Sequence, residues 1–269
     1  MEAAGGRLLV NTPSIGAAVH AIALNTFREA IRDRILYLLL VFALTLIGVS
    51  RLLSLLTVGN EEKIIKDMGL SAISLFGVLT AVFVGVSLVF KEIERGTVYT
   101  LLANPVRRWQ FVAGKFLGLL TVLAMNVGLM SLALGGLLLL RGESPWPLLP
   151  AIALILVELV VITAFALLFS SLTNPVLAAL MTFAIYVLGH LTWSLELLSA
   201  KLEGGLAVRL VDALYWMMPN LDRLNLKATA VHGLPLEPGF VTLGVVYGLS
   251  YAVVILGLAC VAFERKEFN

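Results

Sequence analysis

Apolar and polar positions are segregated along this chain on a scale of 20 to 30 residues, far longer than the two- or four-residue alternation of a water-soluble helix or strand. Residues 70–90 form a run of 21 without a charge, and residues 116–140 and 239–263 form runs of 25. At about 1.5 Å of rise per residue, each is long enough as a helix to cross a hydrocarbon layer of roughly 30 Å. Extending the same reading gives six spans, at about 35–56, 70–90, 111–140, 148–172, 176–195 and 239–263. The first carries Arg51 near its far end, and the third is longer than a perpendicular crossing requires, which predicts tilt. Between the fourth and fifth, "TNP" at 173–175 breaks the chain, because a residue before proline is pushed out of helical geometry. The predicted fold is an all-α membrane protein with six transmembrane helices in one domain, 1–269.

Composition strengthens that picture. Hydrophobic residues make up 60% of the chain and charged residues only 13%, against about a quarter charged in soluble domains. The first 34 residues hold Arg7, Arg28, Glu29, Arg32, Asp33 and Arg34, without the apolar stretch and small-residue site of a cleavable signal. The single cysteine, Cys260, lies in the last apolar run and reads as a packing residue, so no intrachain disulfide is expected. A net charge of +2 without a basic, aromatic-interleaved patch excludes nucleic acid as the expected partner.

An even number of spans puts both termini on one side, and lysine and arginine choose the side. Eleven lie in the N-terminus, residues 91–115 and the C-terminus, and eight in the opposite loops, where acids offset them. Both termini and 91–115 are therefore expected in the cytoplasm. Before the first span, residues 14–34 repeat Ile15, Val19, Ile22, Phe27 and Ile31 near helical spacing. This predicts an amphipathic helix lying in the interface, with Arg28 and Arg32 near lipid headgroups. The sizeable outer segment is 197–238, in which "LAVRLVDALYWMMPNL" reads as a short amphipathic helix ended by Pro219.

The densest charge gathers in "KEIERGTVYTLLANPVRRWQFVAGK", residues 91–115. Span two runs out into Lys91, Glu92, Glu94 and Arg95. Gly96 permits a turn and Thr97 can cap a new helix. Val98, Leu101 and Leu102 then form a small apolar face, and Asn104-Pro105 ends it. Arg107, Arg108 and Trp109 make an interfacial anchor for span three. Residues 91–110 thus predict a short helix held between two spans. By its residues alone it serves equally as a positive-inside anchor or as an apolar knob for a partner's groove.

The same stretch resembles the E-x-E-x-G-T…L-L…P…R…K pattern of ABC-2 type transporter permeases, most closely the branch containing the permease that serves copper-site maturation of nitrous oxide reductase. "YWMMPNLDRLNLKATAVHG" at 215–233 is similar to a P-N-L segment of related bacterial permeases. The resemblance implies a dimeric permease of the bacterial inner membrane, more often an exporter, with two copies of a separate cytoplasmic ATPase docked on the helix after span two. It assigns Glu92, Glu94, Arg95, Gly96 and Thr97 to the coupling turn, Val98, Leu101 and Leu102 to the docking face, and Pro105, Arg107 and Arg108 to its exit. ATP and Mg would be bound by the ATPase, since this sequence contains no G-x-x-x-x-G-K-[ST] loop. Lipid-like molecules, peptides, drugs, ions and sulfur- or copper-related species all fit as cargo.

Two other functions compete with solute export. A relay that passes ATPase motion to an extracytoplasmic partner at 197–238 would move no solute. A self-sufficient carrier would need several ionisable groups inside the membrane, and the spans offer Glu158 and His190. That pair is the candidate intramembrane polar site, with Glu158 about 15 Å deep and His190 about 9 Å deep from the outer end. Met217, Met218 and His232 carry copper(I)-compatible donors, but paired methionines at a helix end read as packing, and no metal site is expected. Gly114-x-x-x-Gly118 and Gly244-x-x-x-Gly248 permit close helix approach, read as packing within the chain.

Overall fold

In the computed structural model, residues 15–56, 59–94, 107–192, 205, 208–209 and 218–265 are described, with backbone alone at 89 and 92–94. Every regular element among them is helical. The helices are α1 (Ile15–Ala30), α2 (Arg34–Ser54), α3 (Glu61–Glu94), α4 (Arg108–Leu139), α5 (Leu149–Leu172), α6 (Pro175–His190), α7 (Lys227–His232) and α8 (Phe240–Arg265), with single 3-10 turns at Trp146–Leu148 and Asp222–Leu224.

Among the described residues, five helical segments are long and apolar enough to cross a membrane: Arg34–Ser54, Glu61–Leu88, Arg108–Leu139, Trp146–Leu172 and Phe240–Arg265. The remaining apolar helix, α6, covers most of the span expected at 176–195 but has 16 residues, about 24 Å. The break before it falls at Thr173 and Asn174. Pro175 cannot donate to the preceding turn, and Asn174 Oδ1 accepts from Leu177 N at 2.9 Å to cap the new helix. The second span differs most from its sequence boundaries: α3 begins at Glu61, nine residues before the expected start at Leu70. Glu61 and Glu62 in its first turn favour the positive helix end, and Glu62 pairs with Lys66 one turn on.

α3 and α5 form the core, with 72% of each apolar window buried, whereas α8 has 22%. α5 is apolar all the way round, as a helix wrapped by others must be; α3, α4, α6 and α8 pack against it. Glycines set the close approaches. A Cβ on Gly248 would lie 2.3 Å from Val157 Cγ1 of α5. One on Gly118 would lie 2.6 Å from the Ala23 carbonyl oxygen of α1, and one on Gly114 2.7 Å from Ile22. Both small-residue pairs are thus used within the chain.

The N-terminal helix packs on α4 through a different stripe from the expected large apolar one. Ala18, Ile22, Thr26 and Ala30 are buried, at strict four-residue spacing, while Ile15 stays 57% exposed. Small residues win these positions because α1 meets the glycine face of α4. Arg28 and Arg32 are exposed, as is Trp109 at the start of α4.

Candidate functional site

Two polar groupings stand out in an otherwise apolar bundle, one at each end. At the end that carries residues 91–115, α3 continues through Phe90 to Glu94 and α4 starts at Arg108. Lys91, Glu92 and Glu94 therefore lie on the transmembrane helix itself, not on a turn beyond it. Arg95, Gly96, Thr97, Val98, Leu101, Leu102 and Pro105 lie outside the described residues. Arg107 occupies the N-cap of α4, its backbone N–H donating to Gln110 Oε1 at 2.8 Å.

The helix ends that bracket this segment are each fastened to a different neighbour. Lys91 Nζ donates to Asp33 Oδ2 at 2.7 Å, and Asp33 Oδ1 accepts from Ile35 N at 3.0 Å as the N-cap of α2. Burial works against the Asp33 charge, but the bonds from Lys91 and from the Ile35 amide outweigh it and hold the carboxyl below its ordinary range. Arg108 Nη1 donates to the carbonyls of Phe263 at 3.0 Å and Glu264 at 2.8 Å, capping the C-terminus of α8. One turn further along α4, Phe111 stacks on Phe263 with centroids 5.3 Å apart. Lys115, fully buried, sets its ammonium 3.9 Å from Glu29 Oε2 of α1 and 5.9 Å from the Phe111 ring centre. One rim thus joins α1, α2, α3, α4 and α8 around the two ends of 95–106.

At the opposite end, Glu158 of α5 and His190 of α6 meet. His190 Nε2 lies 3.5 Å from Glu158 Oε1, and Nδ1 lies 3.2 Å from the Tyr186 carbonyl. That carbonyl fixes Nδ1 as the donor and turns Nε2 toward the carboxyl. The Tyr186 ring stands 4.7 Å from the imidazole. Glu158 is 1% exposed, and neither Oε1 nor Nε2 has a hydrogen-bond partner among the described residues. Nearby, Asn126 Nδ2 donates to Thr80 Oγ1 at 3.0 Å, linking α4 to α3 inside the apolar core.

A third charge bears on Glu158 that sequence reasoning left in a loop. Lys227 opens α7, which folds back against α3. Burial pushes its ammonium pKa down, against the pull of the Glu158 and Asp67 carboxylates. Nothing in its spacing marked it, because the contact depends on how the outer segment folds back. Of the copper-compatible residues, Met218 packs against the core, His232 lines a cavity beside the first turns of α3 and Met217 lies outside the described residues.

The ABC-2 family transporter protein model matches residues 20–268, nearly the whole chain. The chain belongs to the ABC-2 transporter family. No curated protein matches it. Membership with five long apolar helices makes it a multi-pass transmembrane subunit of an ABC transporter. An ABC-2 subunit works with an ATPase subunit.

Proposed function

We propose that the chain is the permease subunit of an ABC-2 exporter in a bacterial inner membrane, of the branch that resembles the copper-maturation permease of nitrous oxide reductase. It forms the translocation path as a dimer with a second copy. Two cytoplasmic ATPase subunits, which bind ATP and Mg, dock on residues 91–110. Both termini face the cytoplasm, α6 contributes the sixth span, and α1 lies in the interface, anchored by Arg28, Arg32 and Trp109.

The observation that carries this reading is the rim. A push delivered to 95–106 meets α3 through Glu94 and α4 through Arg107. The Lys91–Asp33 bond hands it to α2, the Arg108 cap hands it to α8, and Lys115 with Glu29 hands it to α1. Load entering one short segment therefore spreads over five helices. Glu158 and His190 act at the far end as the gating or cargo contact, since an ionisable pair inside a span is otherwise costly.

The test is co-expression with the cognate ATPase, then affinity purification and ATPase assay in proteoliposomes. Leu101→Asp is expected to lose the ATPase from the complex while the permease remains folded; undiminished co-purification would reject docking at this segment. Stimulated hydrolysis without solute flux, with an outer protein held by 197–238, would make the chain a mechanical relay. Transport by the purified chain alone would make it a self-sufficient carrier.

A further inference from the structure

At the end opposite residues 91–115, the first turns of α3 and the segment 225–232 enclose a cavity of about 450 Å³, lined by Lys63, Ile64, Asp67, Asn225, Lys227, Ala228, Val231 and His232. Its charges are arranged unlike their neighbours. On the same turns of α3, Glu61 pairs with Arg141 and Glu62 with Lys66. Lys63 and Asp67, one helical turn apart, instead face the cavity, and Lys227 faces them from α7. None of these three makes an ion pair within 4 Å among the described residues, although the Asp67 carboxylate acts on the Lys227 charge from further off.

The depth of the cavity is set by the sequence. Asp67 closes the charge-free run 68–90, and Lys63 lies one helical turn, roughly 6 Å, beyond it. That is the polar layer flanking the hydrocarbon core, about 5 to 7 Å thick on each side. The cavity also holds both signs. Two ammonium groups suit one phosphate, and a carboxylate 4 residues along the helix from Lys63 suits a primary ammonium. Ile64 and Val231 give it apolar wall. Lys227 adds a reason for occupancy: half-shielded from water, its charge gains more from a bound anion than an exposed lysine's does.

We propose that this cavity binds a small zwitterion carrying a phosphate and a primary ammonium, as in a phosphoethanolamine lipid headgroup, with Lys63 and Lys227 on the phosphate and Asp67 on the ammonium. The site is separate from the Glu158–His190 contact, although Lys227 neighbours both. It requires no ATPase and so stands apart from the proposed transport role.

The test uses the full chain in detergent, with native mass spectrometry of bound lipid. Phosphatidylethanolamine, phosphatidylcholine and phosphatidylglycerol of identical acyl chains are offered in competition. The ethanolamine lipid is expected to be retained about fivefold over the others, equivalent to about 1 kcal/mol. Asp67→Asn is expected to abolish that preference, and Lys63→Met and Lys227→Met to lower retention of all three. Lys63 is exposed, so its variant tests the site even if Lys227→Met fails to fold. Displacement of the lipid by free phosphoethanolamine at equal concentration would keep the chemistry and assign a soluble ligand. Equal retention of the three lipids by the wild-type chain, or an unchanged preference in Asp67→Asn and Lys63→Met, would overturn the proposal.

Discussion

Asp33 performs two tasks with its two oxygens, and substitutions can separate them. Oδ1 caps α2 through the Ile35 amide at 3.0 Å, and Oδ2 receives the Lys91 ammonium at 2.7 Å. Asparagine retains an oxygen for the cap but loses the charge, whereas alanine loses both. An N-cap is worth about 1 kcal/mol. The ion pair is half in water on its lysine side, 43% exposed against 7% for Asp33, so screening limits it to about 1 kcal/mol. Asp33→Asn should therefore destabilise by about 1 kcal/mol and Asp33→Ala by about 2 kcal/mol. Lys91→Met should resemble Asp33→Asn, and the double variant Asp33→Asn with Lys91→Met should cost less than the sum of the two singles. Reversible unfolding of the detergent-solubilised chain gives these differences directly. The pH dependence has a fixed sign. Because the folded carboxyl titrates below its ordinary value of about 3.9, its contribution is fully present above that value. It is lost as pH falls through the lower folded one. Equal losses in Asp33→Asn and Asp33→Ala, or additive behaviour with Lys91→Met, would refute the division of labour.

Three other perturbations bear on the helices around the rim and on the polar pair. Gly118→Ala places a Cβ 2.6 Å from the Ala23 carbonyl oxygen, a backbone atom that cannot step aside, so α1 must lift from α4 at a cost of about 1 to 3 kcal/mol; a wild-type melting temperature would contradict this. Arg108→Ala uncaps two carbonyls of α8 and should cost about 1 to 2 kcal/mol, seen as faster amide exchange near 262–265, and unaltered protection there would dismiss the cap. Glu158→Gln keeps the side-chain shape but removes the charge beside His190. It should change flux or coupled ATP hydrolysis several-fold in the reconstituted complex without loss of fold, and unchanged turnover and flux would remove Glu158 from the pathway.

Five of the six expected spans were legible because a membrane demands long unbroken apolar runs, and the break at Asn174-Pro175 because proline chemistry acts locally. The start of α3 was hidden: Glu61 to Asp67 read as a polar loop, yet acidic residues in a first turn and i,i+4 pairing also make a helix. α1 was legible as a helix but not in its packing face, since Ala18, Thr26 and Ala30 carry little hydrophobic signal and gain their burial from the glycines of α4. Glu158 and His190 announced themselves as charges in spans, and their approach needed α5 and α6 to be neighbours, which a short break between them favours. Lys227, Arg108 at α8 and Lys115 with Glu29 could not be read, because each joins positions far apart in sequence. Their contacts exist only after the helices assemble.

The continuity of α3 carries a further consequence. From Glu61 to Glu94 it is a single helix of 34 residues, about 51 Å long, with the cavity lined by Lys63 and Asp67 at one tip and the start of 95–106 at the other. No proline interrupts it, so its sequence sets no kink between the two ends. A rocking of about 5° around its midpoint displaces each tip by about 2 Å in opposite directions. Its two ends are thereby joined without a break, and a tilt that moves one tip moves the other.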